Sequence, residues 1–263
     1  MALITDPAME LANLCDNLVH GQDVAGFTHL SQKFEVEPWS LDFYRIVFNV
    51  VERANYIKDL VKSIPDSSHI ADDAIQHIDQ LLIGFQPKSM NSSWNSFGVK
   101  YINPANIQPI KMLSPFIRGK VRYPELSPDE INEILGLVEQ LIEWLEDKQL
   151  SDNDFIRESL IEGLKSFYFR LERLRWLGWG YTVSSLRDVI SAYMALERGI
   201  DASDPQATAI VKKTGSFIKK AYEKLGVAKD IADRGDFLIK AYGMASISLD
   251  VQSEIYKLLS FNG

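Results

Sequence analysis

SPDEINEILGLVEQLIEWLED, residues 127–147, carries the clearest fold signal in the chain. Ser127 and Glu130 have the S-x-x-E spacing of a capping box, and Pro128 occupies the first helical position, where no backbone N–H is needed. Apolar residues then recur every three or four positions, which is the period of one helix face: Ile131, Ile134, Leu135, Val138, Leu141, Ile142 and Leu145. The stretch predicts an amphipathic helix to about residue 149.

A second helix is predicted directly behind the first, over residues 153–177. Its apolar stripe comprises Ile156, Leu160, Leu164, Phe167, Leu171 and Leu174. Because the connection LSDND is short, the two helices are expected to form an antiparallel hairpin at 128–177. Residues 124–154 hold ten acidic residues and one lysine, whereas residues 155–187 hold six basic and three acidic ones. Opposite charge on neighbouring helices favours this pairing.

The remainder of the chain repeats the helical period, and no segment shows the alternation of a strand. Thr5 or Asp6 is the predicted N-cap of the first helix. Ser40 opens a long helix that places Tyr44 on or near its inner face and ends at Pro65. Further helices are predicted at 23–34, 67–85, 184–197, 205–225, 227–243 and 248–260. The pattern indicates an all-α, multi-helix bundle of about eight to ten helices in two halves.

Residues 86–126 interrupt the helical period. This segment contains five prolines among many serines and asparagines, and long connections of this kind are usually functional loops or linkers. Its aromatic content, which includes Trp94, is too high for a disordered linker, so we expect much of it to pack. We predict an N-terminal helical half at 1–85, an irregular connecting segment at 86–126 and a C-terminal helical half at 127–263.

Composition and charge exclude several classes of function. A net charge of -8 argues against binding of the whole chain to nucleic acid or to an anionic membrane, since phosphate neutralisation drives both. One cysteine, Cys15, provides neither a disulfide nor a cysteine metal site within a chain. Residues 1–14 lack the features of a signal peptide, and charges interrupt every apolar run. We expect a soluble cytoplasmic protein without membrane insertion.

RLERLRWLGWGY, residues 170–181, combines arginines, aromatic residues and glycines. We interpret it as the end of a buried helix, with Gly178 in a left-handed conformation and Trp179 and Tyr181 folded back over the helix end. The alternative is an arginine and aromatic site for a nucleotide, a nucleic acid or an acidic partner, built on Arg170, Arg173 and Trp179. We favour the structural interpretation.

HIADDAIQH, residues 69–77, is the strongest candidate for a metal site. His69, Asp73 and His77 recur every four residues, so a helix places them on one face. His69 and His77 are nevertheless roughly 12 Å apart along the helix axis, too far to share one ion. We therefore interpret the three residues as a solvated polar face and predict no bound metal.

Motifs of nucleophilic and phosphate chemistry are absent from the sequence. It contains no G-x-S-x-G, no Walker A and no G-x-G-x-x-G pattern, and Cys15 lies within an apolar helical pattern. We expect no cofactor and favour a non-enzymatic protein over an enzyme.

The function that these observations favour is a non-catalytic helical protein-interaction module: a subunit, adaptor or regulator that contacts another protein or a second copy of itself. The expected contact surfaces are the acidic helix at 129–147, with Glu139 and Glu143, and the loop around Trp94. The alternative is a nucleic-acid- or nucleotide-binding accessory protein that uses a local basic and aromatic surface: Arg118, Lys120, Arg122, Arg170, Arg173, Trp179, Lys212 and Lys219. A helical-bundle metal-dependent enzyme around His69–His77 is the third possibility.

Overall fold

The computed structural model describes residues 4–21, 23–64, 68–150, 154–199 and 204–225. It confirms the all-α prediction, since the strands in this part of the chain are two residues each. The elements are β1 (Ile4–Thr5), α1 (Pro7–Asp16), α2 (Gly26–Phe34), α3 (Leu41–Lys62), α4 (Ser68–Ile83), α5 (Pro87–Met90), a π-helical turn (Trp94–Gly98), α6 (Val99–Tyr101), α7 (Pro104–Arg118), β2 (Tyr123–Pro124), α8 (Pro128–Glu146), α9 (Asp154–Glu172), α10 (Leu174–Leu177), α11 (Trp179–Gly199) and α12 (Pro205–Leu225). The helices predicted at 227–243 and 248–260 lie outside the described residues.

Side-chain caps begin three helices where the sequence predicts them. Asp6 Oδ1 accepts hydrogen bonds from the backbone N–H groups of Ala8, at 3.0 Å, and Met9, at 3.1 Å, at the start of α1. Ser40 caps α3 in the same way. At α8, the Ser127 backbone N–H donates to Glu130 Oε2 at 2.8 Å, and the Glu130 N–H donates to the Ser127 hydroxyl at 3.3 Å. The predicted capping box is confirmed.

Much of residues 86–126 is helical, although the sequence predicts an irregular connection there. The 15-residue helix α7 contains Pro109 and Pro115 within its length. Proline disfavours a helix interior because it lacks the N–H donor, so these residues obscured the helical period. That period is nevertheless present in the buried positions of α7: Ile107, Ile110, Leu113, Ser114 and Ile117.

The described residues form two compact units whose limits differ from the predicted halves. The first unit comprises the described residues up to Tyr123 together with Arg173–Tyr181. The second comprises those from Pro124 to Glu172 and from Thr182 onward. The second helix of the hairpin, predicted over residues 153–177, therefore ends earlier, because α9 ends at Glu172. Residues 173–177, which were predicted to complete that helix, belong to the first unit.

Within the second unit, Arg157 holds the ends of α8 and α9 together. Its guanidinium makes two hydrogen bonds to the Asp154 carboxylate, at 2.6 and 2.9 Å, and a third to the Leu145 carbonyl at 3.0 Å. The Leu150 N–H also donates to Asp154 at 2.9 Å. The hydrogen bonds from Arg157 lower the pKa of Asp154 to about 2, so both groups stay charged at neutral pH. One bidentate ion pair therefore closes the connection between the two helices.

Candidate interaction surface and ligand pocket

A buried arginine attaches the segment Arg173–Tyr181 to the rest of the first unit. Arg53 on α3 is 8% exposed, and its Nη2 donates to Asn49 Oδ1 at 2.8 Å and to the Trp176 carbonyl at 2.7 Å. Burial lowers the pKa of Arg53, whereas the nearby Glu10 carboxylate acts in the opposite direction. Glu10 also accepts the backbone N–H of Trp179 at 3.1 Å. These contacts connect α1 and α3 to Arg173–Tyr181, which we call the returning segment.

Gly178 lies at the point where this segment passes closest to Arg53. Its backbone has φ 75° and ψ 167°, so φ is positive as the left-handed prediction requires, but ψ lies outside the left-handed helical region. A Cβ atom here would lie 2.7 Å from both Arg53 Cζ and Glu10 Oε2. The prediction that Trp179 and Tyr181 fold back over a helix end is wrong, because α11 begins at Trp179. The close approach to Arg53 therefore adds a second reason for glycine at position 178.

Four large apolar side chains are exposed at the beginning of α3. The exposed fractions are 38% for Trp39, 66% for Leu41, 40% for Tyr44 and 65% for Phe48. Leu41, Tyr44 and Phe48 are three and four residues apart, so they share one helix face. We call these four residues the aromatic surface. The prediction that Tyr44 lies on or near the inner face of α3 is wrong.

The rings of the aromatic surface contact one another and continue into the core. Ring centroids are 6.0 Å apart for Trp39 and Tyr44, and 6.5 Å apart for Tyr44 and Phe48. Trp39 also packs against Phe27 at 4.9 Å and against the buried Phe43 at 5.5 Å. The backbone of Trp39 has φ 60°, a value that is unfavourable for a bulky residue. The patch is therefore ordered, contiguous and apolar.

Sequence reasoning missed this surface because α3 has two apolar stripes. Phe43, Ile46, Val47, Val50 and Ala54 form the buried stripe. The second stripe belongs to the aromatic surface, and a single sequence does not show which of two apolar stripes faces the core. The signal that could have found it is the excess of apolar residues over one helix face.

Trp94 is completely buried, so the prediction that it contributes to an exposed contact surface is wrong. Its ring nitrogen donates to the Leu18 carbonyl at 3.0 Å, and its backbone N–H donates to the Val24 carbonyl at 2.8 Å. The Trp94 ring stacks on His29, with centroids 4.7 Å apart and an interplanar angle of 20°. Asn95 and Ser96 are exposed beside it. Trp94 is an anchor for the chain between α1 and α2.

A pocket of about 400 Å³ lies beside this stack and is lined by His20, Gly21, His29, Gln32 and Lys33. His29 is 3% exposed, and its Nε2 has no hydrogen-bond partner. Burial, assisted by the positive charge of Lys33, lowers the pKa of His29 to about 4, although the Leu18 carbonyl opposes the shift. At neutral pH the His29 imidazole is therefore uncharged.

The candidate metal ligands do not form a site in the described residues. Asp73 is exposed, and His77 Nε2 lies 3.9 Å from its carboxylate. The other ring nitrogen of His77 lies 2.9 Å from Asn106 Oδ1 on α7. The side chain of His69 lies outside the described residues. In the part of the chain that the structure describes, no three His, Cys, Asp or Glu side chains are grouped to hold a metal ion.

The basic residues predicted to contact nucleic acid or a nucleotide are divided between the two units. In the first unit, Arg118 pairs with the buried carboxylate of Asp6 at 3.3 Å and donates to the Ser114 hydroxyl, whereas Lys120 and Arg122 are exposed. In the second unit, Lys212 and Lys219 are exposed on α12, and Arg170 is half-buried on α9. Two of the aromatic and arginine candidates lie in the returning segment: Arg173, half-buried, and Trp179, 2% exposed.

The acidic candidates Glu139 and Glu143 are exposed on α8. Trp144 also lies on α8. Lys213 of α12 lies over the Trp144 ring, 4.3 Å from its centroid, and Lys148 lies 5.6 Å from the same centroid. A cation against an aromatic face stabilises helix packing. One lysine of α12 thus packs against α8 within the second unit.

None of the helices in the described ranges is both long and apolar enough to span a membrane. Comparison of the chain with protein families, curated proteins and solved structures finds no match.

Replacement of Gly178 by alanine is expected to lower the free energy of unfolding by about 3 kcal/mol, because a Cβ at this positive φ collides with Arg53. Urea denaturation measures the change. Gly136→Ala in α8 is the matched control, since a Cβ there meets no atom within 4 Å. It should raise the stability by about 0.5–1 kcal/mol, as expected in a helix interior. Equal stability of the two variants would contradict the close approach at Gly178.

The lowered pKa of His29 predicts that acid destabilises the fold. The imidazole has a pKa of 6.5 as a free group and about 4 in the folded protein, so the unfolded state binds more protons between these values. The stabilisation is complete above about pH 6.5 and is lost towards about pH 4, by about 3 kcal/mol in total. Urea denaturation across this pH range measures the loss.

His29→Gln should remove this part of the pH dependence, because glutamine does not titrate. His20→Gln, at the exposed histidine of the same pocket, should leave it intact. An unchanged pH dependence in His29→Gln would show that His29 is not the group responsible.

Proposed function

We propose that the chain is a non-catalytic helical protein-interaction module that docks another protein on its aromatic surface. The observation that carries the proposal is the exposure of Trp39, Leu41, Tyr44 and Phe48 as one ordered patch. Contiguous exposed apolar patches on folded proteins mark sites of interaction. Tryptophan and tyrosine are also enriched among the residues that contribute most to binding at protein interfaces.

Burial by a partner would remove an unfavourable exposure. Each Å² of apolar surface withdrawn from water contributes about 25 cal/mol, and aromatic side chains have large areas to bury. The contacts of Trp39 with Phe27 and Phe43 already restrain its ring. Little side-chain freedom is therefore lost when a partner binds, which favours affinity.

The charges next to the aromatic surface indicate the chemistry of the partner. Glu35 and Glu37 are exposed immediately before Trp39, whereas Arg45 on α3 is occupied by an ion pair with Asp42 at 3.1 Å. An apolar segment flanked by lysine or arginine would complement this edge. A symmetric contact between two copies of this chain would bring like charges together, so we propose a different protein as the partner.

Other proposals receive less support from the described residues. The acidic face with Glu139 and Glu143 offers charge without an exposed aromatic anchor beside it. For nucleic acid, the rings of Trp94 and Trp179 are buried and provide no stacking platform, and Arg118 is paired with Asp6. For a metal-dependent enzyme, His77 contacts Asn106, and Asp73 is exposed.

A photo-cross-linking amino acid at position 48 tests the proposal in cells. Phe48 and Phe155 are both 65% exposed, but Phe155 lies in the second unit, which makes it a matched control position. We expect a discrete adduct with one other polypeptide from position 48 and none from position 155. The additional substitution Tyr44→Asp should abolish the adduct, since a charge in the patch must be desolvated on binding.

Two outcomes would contradict the proposal. Equal adducts from positions 48 and 155 would indicate unspecific contact with exposed apolar residues. An adduct that contains this chain alone would replace the heterologous partner with self-association.

A further inference from the structure

The exposed face of α3 changes from apolar to acidic along the helix. Leu41, Tyr44 and Phe48 form its apolar part. Glu52 follows Phe48 by four residues, lies on the same face and is exposed. In the part of the chain that the structure describes, no ion pair engages Glu52. Its carboxylate is therefore available to a basic group of a docked partner.

The opposite end of the aromatic surface is acidic as well. Glu35 and Glu37 are exposed where the chain approaches α3. Arg45, which lies between the two ends, pairs with Asp42 at 3.1 Å, so its positive charge is already compensated. A partner that covers the aromatic surface meets negative charge at both ends, which favours a basic group at each end of the partner's apolar part.

The aromatic surface provides few hydrogen-bonding groups. Its side chains carry the Tyr44 hydroxyl and the Trp39 ring N–H, and beyond the first turn the backbone groups of α3 bond within the helix. An extended partner segment would leave many of its own N–H and C=O groups unpaired against this surface, which is unfavourable once water is removed. A helical segment bonds these groups internally. Among the described residues, β1 and β2 are two residues each and pair with each other, so they offer no long edge to an extended segment either.

A helix laid along α3 fits the spacing of these groups. Along the axis of α3, Leu41 and Phe48 are about 10 Å apart, and Leu41 and Glu52 are about 16 Å apart. Two helices pack by inserting the side chains of one between those of the other. Apolar residues at i, i+3 or i+4, and i+7 of a partner helix would cover the stretch from Leu41 to Phe48. A basic residue one turn further along would reach Glu52.

We infer that the partner docked on the aromatic surface is an amphipathic α-helix that lies along α3 and carries a lysine or arginine at each end of its apolar face. Glu52 is the charge partner at one end, and Glu35 and Glu37 are the charge partners at the other. This inference rests on the proposed docking function and adds to it the conformation and the charge pattern of the partner.

Photo-cross-linking from two positions of the full chain measures the conformation of the partner. One variant carries the cross-linking amino acid at position 41 and the other carries it at position 48, and mass spectrometry identifies the partner residue joined in each adduct. Because the two positions are about 10 Å apart, the joined residues should be about seven apart in a helical partner and about three apart in an extended one.

The outcomes separate this inference from the docking function. A separation of about three residues overturns the helical partner and leaves docking on the aromatic surface intact. Absence of an adduct from both positions overturns the docking function, and the inference with it.

Two charge variants test the basic ends of the partner. In the chain with the cross-linker at position 48, Glu52→Lys should lower the adduct yield by about tenfold, because an attractive contact becomes repulsive. Asp72→Lys makes the same charge change at an exposed carboxylate of α4 and should leave the yield unchanged. Replacing the partner's basic residue next to Glu52 by glutamate should restore the yield with Glu52→Lys. The basic ends are overturned if Glu52→Lys has no effect, or if both variants lower the yield alike.

Discussion

The buried charge of Arg53 is the constraint on which the arrangement of the first unit depends. A guanidinium removed from water needs polar partners. Arg53 Nη2 donates to Asn49 and to the Trp176 carbonyl, and the Glu10 carboxylate favours its charge, whereas Nη1 has no hydrogen-bond partner. Because Glu10 also receives the Trp179 N–H, the same group of polar contacts secures both sides of Gly178. The returning segment is therefore held to α1 and α3, although 123 residues separate Arg53 from Trp176.

The first unit has polar contacts in its interior, among buried aromatic side chains, and also exposes a row of aromatic side chains. Asp6 caps α1 and also accepts the Ser114 hydroxyl of α7 at 2.5 Å, so one carboxylate serves two helices. The Trp94 ring N–H donates a hydrogen bond to the buried carbonyl of Leu18. The proposed docking function would account for the exposure of the aromatic surface.

Local features of the structure could be predicted from the sequence, whereas features that depend on distant partners could not. The caps at Asp6, Ser40 and Ser127 require residues within three positions of each other, so sequence spacing is sufficient. The attachment of Trp176 depends on Arg53, far away in the chain. Trp94 is a clear aromatic signal in the sequence, but its burial depends on carbonyl groups outside its own segment. The stack of His29 on Trp94 joins residues far apart in the chain. The aromatic surface was missed for a different reason, since a single sequence does not show which of the two apolar stripes of α3 is buried.

Hydrogen exchange measured by mass spectrometry, on the chain alone and in the complex recovered through the position 48 adduct, tests the central claim most directly. If the aromatic surface is the docking site, protection on binding is concentrated in the turn before α3 and in the first half of that helix, residues 36–52. Exchange in α8 stays unchanged, even though Glu139 and Glu143 are exposed there. Protection centred on α8, with no change around Trp39, would contradict the claim and assign the contact to the acidic helix.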